Sequence, residues 1–407
     1  MDRRDFLKTS LTTIAVATAT RLTGADSIRK ALIEYQQYFG KDVETGGKLG
    51  FGLMRLPKKN GEIDLEETKM MVDIFLNSGF TYFDTAFVYN GSEEAAREAL
   101  VKRHPRNKYT LATKLNVRKA SSEEEAKNQI NISLERLGTD YIDYYLLHSI
   151  MANNYQKYND YHLWEYVREL KQKGIIRHYG FSYHDGPELL DRILTEHSDV
   201  EFVQLQINYA DWDDPEIQSR ANYEVARKHG KQIVIMEPIK GGKLANPPEK
   251  VCDIFKAVNP TASYASWAIR YCASLDGILS VLSGMSTFGQ MMDNVSYMKN
   301  FKPLNESEMT AIIEARKEFS KSEEIPCTAC HYCVPGCPKE IAIPDMFKIM
   351  NRRTSTGLLE QTSADYKKLT AGKSSAADCI KCGQCDQICP QHIKIISELE
   401  KISKTFI

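Results

Sequence analysis

Residues 109–148 read YTLATKLNVRKASSEEEAKNQINISLERLGTDYIDYYLLH. Two short apolar runs, Tyr109–Leu115 and Tyr141–His148, bracket an amphipathic stretch over Ser122–Leu137. That is the pattern of strand, helix, strand. Working outward, the same alternation recurs from about Lys48 to Lys299. Further strands are predicted at Leu49–Met54, Phe80–Ala86, Ile176–Tyr183, Phe202–Tyr209, Gln232–Pro238 and Gly277–Gly284. Further helices are predicted at Leu65–Asn77, Ser92–Arg103, Leu163–Lys173, Pro187–Glu196, Glu216–His229 and Ala262–Ala273. Eight strands, each followed by a helix over roughly 250 residues, describe an α/β fold of the (β/α)8 TIM-barrel type. A doubly wound sheet is the competitor, and it advertises a glycine-rich turn after its first strand. Gly50-x-Gly52 lacks both the third glycine and the helix that should follow.

In a barrel of this kind the reactive side chains gather at the C-terminal ends of the strands. Read in order, those ends supply Asp84 and Tyr89 after the second strand, Lys114 at the end of the third and His148 at the end of the fourth. Each alone has a bland reading: an aspartate before threonine caps a turn, a strand-end lysine is solvated, a lone histidine is structural. Together they form a coherent set. A tyrosine can give a proton to a developing alkoxide, although its ordinary pKa is about 10. Lys114 is expected to lower that value, and Asp84 to hold Lys114. His148 can donate a hydrogen bond to a carbonyl oxygen and orient it for hydride attack.

These residues resemble the aldo/keto reductase family, and the resemblance covers most of Leu49–Lys299. It implies an NAD(P)(H)-dependent oxidoreductase acting on carbonyls or alcohols, with Asp84, Tyr89, Lys114 and His148 as its catalytic tetrad. It also implies cofactor contacts at Ser182 and Gln206, on either side of the carboxamide, and at Met236, where the family often stacks an aromatic ring. Gly284, Ser286, Gln290 and Asn294 match the region that grips the adenosine phosphate end. NADP-preferring members often carry Lys at the Gly284 position and Arg at the Gln290 position. A 2′-phosphate wants such cations, so a weak preference against NADP, or a diminished nicotinamide role altogether, is expected. Lys240 and Lys243 are within sequence reach of a pyrophosphate.

Eight of the ten cysteines fall into two copies of one spacing. Cys327, Cys330, Cys333 and Cys337 read C-x-x-C-x-x-C-x-x-x-C before Pro338; Cys379, Cys382, Cys385 and Cys389 repeat it before Pro390. The run is similar to that of two-cluster bacterial ferredoxins, in which the fourth cysteine serves the other cluster. Cys327, Cys330, Cys333 and Cys389 are thus expected on one [4Fe–4S] cluster, with Cys379, Cys382, Cys385 and Cys337 on the second. Zinc ribbons or disulfides are the alternative, but the trailing prolines have no role in a zinc knuckle. Cys252 and Cys272 read as buried small hydrophobes.

Asp2-Arg3-Arg4-Asp5-Phe6-Leu7-Lys8 precedes twelve uncharged residues, Thr9 to Thr20. The layout resembles a twin-arginine export signal and is too short to span a bilayer. It implies a periplasmic protein that meets the membrane only transiently; an untranslocated, cytoplasmic chain is the alternative. The expected organisation is a signal over residues 1–25, a linker or helix over 26–47, the barrel over 48–300, a connecting helix over 301–322 and a small ferredoxin-like α+β or irregular iron–sulfur domain over 323–407. Net charge is −1 and no basic block recurs after the N-terminus, so nucleic acid is not an expected partner. A small carbonyl or alcohol substrate is expected, and the clusters leave room for an electron-transfer protein partner. A second reading makes the barrel a non-catalytic module and the chain an electron-transfer subunit of a redox complex.

Overall fold

The computed structural model describes residues 47–406. The signal expected over residues 1–25 lies outside the described residues, as does the linker up to residue 46. Eight strands close a barrel: β1 Leu49–Gly52, β2 Tyr82–Asp84, β3 Thr110–Leu115, β4 Ile142–Ile150, β5 Ile176–Tyr183, β6 Phe202–Gln206, β7 Gln232–Met236 and β8 Ile278–Ser283. Neighbours in chain order pair in parallel, and β1 closes the ring by pairing with both β2 and β8. Helices outside and a filled interior bury the strands on both faces, which is why they read as near-continuous apolar runs.

The core lies in two shells. Between strands and helices, Phe51, Phe75 and Phe83 pack with ring centroids 5.1–6.1 Å apart. Inside the barrel, Tyr82, Ala112, Leu146, Phe202, Val234 and Leu282 form a separate cluster contributed by six strands. This is the layered plug of a TIM barrel, and it forms a floor beneath the strand ends.

Several elements depart from expectation. β6 stops at Gln206, short of the predicted Tyr209, because Asn208 turns the chain: its Oδ1 accepts the N–H groups of Ala210 and Asp211 at 3.0 and 2.9 Å. The Ser92–Arg103 helix is α only over Ser92–Ala96 and widens to a π turn over Arg97–Val101. Ala152–Asp160, outside the helices predicted above, is also helical. Helices also cover Glu249–Val258 and Phe288–Met298.

The connecting helix is Glu306–Phe319, opened by the capping box of Asn305 and Glu308. Its Met309, Ile312 and Ile313 join the barrel core. The C-terminal domain that follows has no strand among the described residues; the α+β mixture expected of it gives way to helices and turns. Between the two cysteine runs lie helices Ile343–Thr356 and Leu359–Thr370. They bury Met346, Phe347 and Tyr366 beside the cysteines, with Tyr366 stacked on Phe406 at 4.7 Å.

This domain roofs the barrel mouth. Arg55 Nη2 donates to Thr328 O at 2.7 Å, Lys243 Nζ to Ile325 O at 2.9 Å, and Asn153 Nδ2 to Gln387 O at 2.7 Å. Gly241, at φ 64°, lies so close that a Cβ there would stand 2.7 Å from Thr328 Cα. Only glycine meets both the backbone angle and that approach.

Candidate active site beneath an iron–sulfur roof

The tetrad converges as the strand ends foretold. Lys114 Nζ donates to Asp84 Oδ1 at 2.6 Å and to Thr85 O at 2.7 Å. Both side chains are buried, and Asp84 Oδ2 has no partner. Burial draws each toward its neutral form, raising Asp84 and lowering Lys114, while their mutual attraction opposes the change. The ammonium stands 5.2 Å from the centre of the Tyr89 ring, and the Tyr89 and His148 rings meet edge to face at 5.8 Å.

One expectation is corrected here. The Lys114 charge does not bring the Tyr89 phenol below its ordinary range. Burial pushes Tyr89 well above its ordinary range, and Tyr332, Asp84 and Glu237 push the same way. The lysine's charge is spent on Asp84 and a carbonyl, so Tyr89 is held as a phenol that can donate a proton. His148 is held well below its ordinary range, first by burial and then by the Lys114 charge, so its imidazole is neutral.

A built turn aims His148. The β4–β5 register breaks between Leu147 and Ile150, and Ser149 takes a left-handed φ of 58°. Such bulges re-aim a side chain at a barrel rim. Three side chains pin this one: Tyr158 Oη donates to His148 O at 2.5 Å, Asn154 Nδ2 to Ser149 O at 2.8 Å, and Ser149 N to Ser182 Oγ at 2.7 Å. Tyr158 and Asn154 sit on helix Ala152–Asp160, and no motif in the sequence marks them.

A cavity of about 740 Å³ runs from Asp84, Tyr89 and His148 to the end of β8. Met236, Gly284, Ser286, Gln290 and Asn294 line it as predicted. Ser182 and Gln206 do not. Ser182 Oγ is engaged by Ser149 N, and Gln206 is paired with Asp211 and Gln391. Gln204, two residues earlier on the same face of β6, lines the cavity with an unpartnered Oε1. Lys240 and Lys243 also face elsewhere: Lys240 pairs with Asp211, and Lys243 with Glu324 at 3.2 Å. Among the described lining residues, the one lysine or arginine is Arg55, already bound to Thr328 O. The volume and the unpartnered Gln204 amide oxygen fit a nicotinamide cofactor.

The eight cysteines group as their spacing predicted. One small cavity is lined by Cys327, Cys330, Cys333 and Cys389, and another by Cys337, Cys379, Cys382 and Cys385. Left-handed residues between the ligands, Ala329 and His331 in one run and Lys381 and Gly383 in the other, turn the thiols inward. Burial pushes the Cys330 and Cys385 thiols up to about 12, so a bound cation would be needed to favour the thiolates that metal ligation requires. Of the two remaining cysteines, Cys272 is buried as expected and Cys252 only half-buried.

The first cysteine run touches the barrel's chemistry. Cys330 and Tyr332 line the same cavity as Tyr89 and His148, and Tyr332 Oη lies 3.4 Å from His148 Nε2. Tyr332 went unnoticed in the sequence, since nothing local distinguishes a tyrosine between two ligands.

Comparison with known proteins agrees with this geometry. Residues 48–317 match the aldo/keto reductase family, and residues 326–394 match a 4Fe-4S dicluster domain. An uncharacterized oxidoreductase, YqkF of Bacillus subtilis, is 26% identical over 307 residues, covering 67% of this chain and 93% of that protein. The holo form of the aldo-keto reductase AKR11C1 from Bacillus halodurans superimposes with a TM-score of 0.53 at 26% identity, over 66% of this chain and 91% of the other. An aldo-keto reductase from Klebsiella pneumoniae, solved in complex with NADPH, shares the fold with a TM-score of 0.53 at 19% identity, over 68% of this chain and 92% of that one.

Proposed function

This chain belongs to the aldo/keto reductase family and is an oxidoreductase, and we propose that it interconverts a small carbonyl compound and an alcohol by hydride transfer with NAD(P)(H), next to two [4Fe–4S] clusters that carry electrons. The observation that carries the reading is the shared cavity: Tyr89, His148 and the cluster ligand Cys330 line one space.

A bound nicotinamide supplies the hydride. Gln204, Met236, Gly284, Ser286, Gln290 and Asn294 would hold it. Neutral His148 orients the carbonyl oxygen through Nε2, and Tyr89 gives that oxygen its phenolic proton as the carbon receives hydride. Asp84 and Lys114 support the phenol from behind, their paired charges keeping the buried ammonium in place. In the reverse direction the same phenol oxygen recovers the proton.

The two cysteine quartets would hold one cubane beside the cavity, through Cys330, and one toward the surface, where Cys382 is exposed. That arrangement suits electron exchange between the buried site and an external protein. The twin-arginine-like N-terminus suits export of an already folded cluster protein; a mature N-terminus near Asp26 in a periplasmic fraction is the corresponding test.

Tyr89→Phe in the reconstituted protein should lower carbonyl turnover by about 10²–10⁴-fold, and unchanged turnover removes Tyr89 as the proton donor. Iron analysis of anaerobically prepared protein should give about eight iron atoms per chain. Zinc in their place ends the electron-transfer half of the proposal.

A further inference from the structure

Tyr332 does more than line the cavity. Its oxygen stands 3.4 Å from His148 Nε2, with the Tyr332 and His148 rings 6.3 Å apart, edge to face, and it shares the cavity with Tyr89. The imidazole is the group that would orient a reacting carbonyl oxygen, and Tyr89, the proton donor, lines the same space. A phenolic oxygen of this chain therefore holds the place of the substrate's oxygen.

The loop that carries Tyr332 is anchored at both ends. Cys330 and Cys333 flank it and line one cavity with Cys327 and Cys389. His331, immediately before, is left-handed at φ 62°. Thr328, two residues before Cys330, is gripped by Arg55 from the barrel. The position of the Tyr332 phenol is thus set by the thiol cage and by the barrel together.

We propose that Tyr332 is a specificity-determining gate contributed by the iron–sulfur domain: its hydroxyl occupies the place beside His148 Nε2 that a carbonyl oxygen would take, in the cavity that Tyr89 lines, and a substrate is admitted by displacing it. The compounds favoured are those whose carbonyl oxygen outcompetes a phenol for His148 and whose remaining bulk fits beside Cys330, Pro390 and Gln391. The inference rests on the carbonyl-reduction reading above. Displacing an internal competitor lowers apparent affinity by the fraction of time the site is open. Removing the competitor therefore acts on KM and on binding, with little change in kcat.

The test uses the full-length, cluster-reconstituted protein with 4-nitrobenzaldehyde as the probe. Tyr332→Phe keeps the ring and removes the hydroxyl; Tyr332→Ala removes both and opens the space. Both variants should lower KM, the alanine variant by about tenfold, with kcat within about twofold of wild type. Equilibrium dialysis of the probe, without nicotinamide, should show the same gain in affinity. Unchanged KM and unchanged binding in both variants, or a fall in kcat with no gain in binding, overturns the gate. Tyr89→Phe in the wild-type background separates the two ideas. Loss of turnover there, with Tyr332 variants unaltered, leaves the carbonyl reading standing without the gate; retained turnover removes the carbonyl reading whatever Tyr332 does.

Discussion

Gln206 and Gln391, 185 residues apart in the chain, exchange two hydrogen bonds of 3.1 and 2.9 Å in a buried setting. One amide ends β6; the other follows the second cysteine run. The pair is a latch between roof and barrel, and it explains why Gln206 is withheld from the cavity it was expected to line.

Breaking the latch on one side strands a buried amide. Gln391→Leu should destabilise the protein by roughly 1–3 kcal/mol, the cost of an unsatisfied buried polar group. The double variant Gln206→Leu/Gln391→Leu should recover part of that loss. A urea unfolding series on the three proteins measures both. Additive losses count against the latch.

The Asp84–Lys114 pair makes a second prediction. Removing the ammonium with Lys114→Met leaves a buried carboxylate facing the tetrad without its cation. The loss should be roughly 3–5 kcal/mol of stability. Asp84→Asn combined with Lys114→Met should be milder than the single lysine change. If the single variant stays within about 1 kcal/mol of wild type, the pair does not bear on folding.

Acid should unfold the protein earlier than its carboxylates alone dictate. His148 is held far below the usual imidazole range by burial, and His184, beside the same cavity, is pushed down to about 3 by burial and the His392 and Arg118 charges. The unfolded chain binds these protons below about pH 6.5 while the fold excludes them. The two rings cost nothing above that value. Each costs about 1.4 kcal/mol per pH unit below it, until the folded group itself titrates. His184→Gln should flatten the stability–pH slope between pH 6 and 4, and an unchanged slope removes His184 from the account.

Cofactor preference follows from the charges around the end of β8. The N–H of Phe288, at the start of helix Phe288–Met298, is taken by the Glu67 carboxylate at 2.8 Å, and Ser286 N by the Gln290 amide at 2.7 Å. No arginine or lysine replaces them among the described lining residues beyond Arg55. NADH should bind at least as tightly as NADPH, and Gln290→Arg should shift the ratio toward NADPH by about tenfold, the scale of one added charge-assisted contact of about 1.4 kcal/mol. Fluorescence titration with both nucleotides checks this; a clear native advantage for NADPH counts against it.

The fold was legible because its strands obey local rules. Ile176–Tyr183 was bounded correctly from composition alone, and the tetrad followed once the strand ends were placed. The cysteine quartets were legible because a cage imposes its own spacing. What escaped depends on depth and on distant neighbours. Gln204 and Gln206 share one face of β6, and alternation gives the face but not the layer, so the glutamine named from sequence is not the one that lines the cavity. The aromatic residues just after His148 fell outside the predicted strand–helix pattern. Tyr155, Tyr158 and Trp164 are instead the buried sides of two helices, with Trp164 stacked on His197 at 3.9 Å. Lys240 and Lys243 find their partners only after the barrel closes and the roof docks.

A mouth covered by a domain folded around thiol cages inherits the lability of those cages. If the quartets hold iron as proposed, air that stripped it from the Cys327–Cys333 loop would slacken the cover as well as silence the clusters, and would alter what the barrel can reach before any tetrad residue is touched.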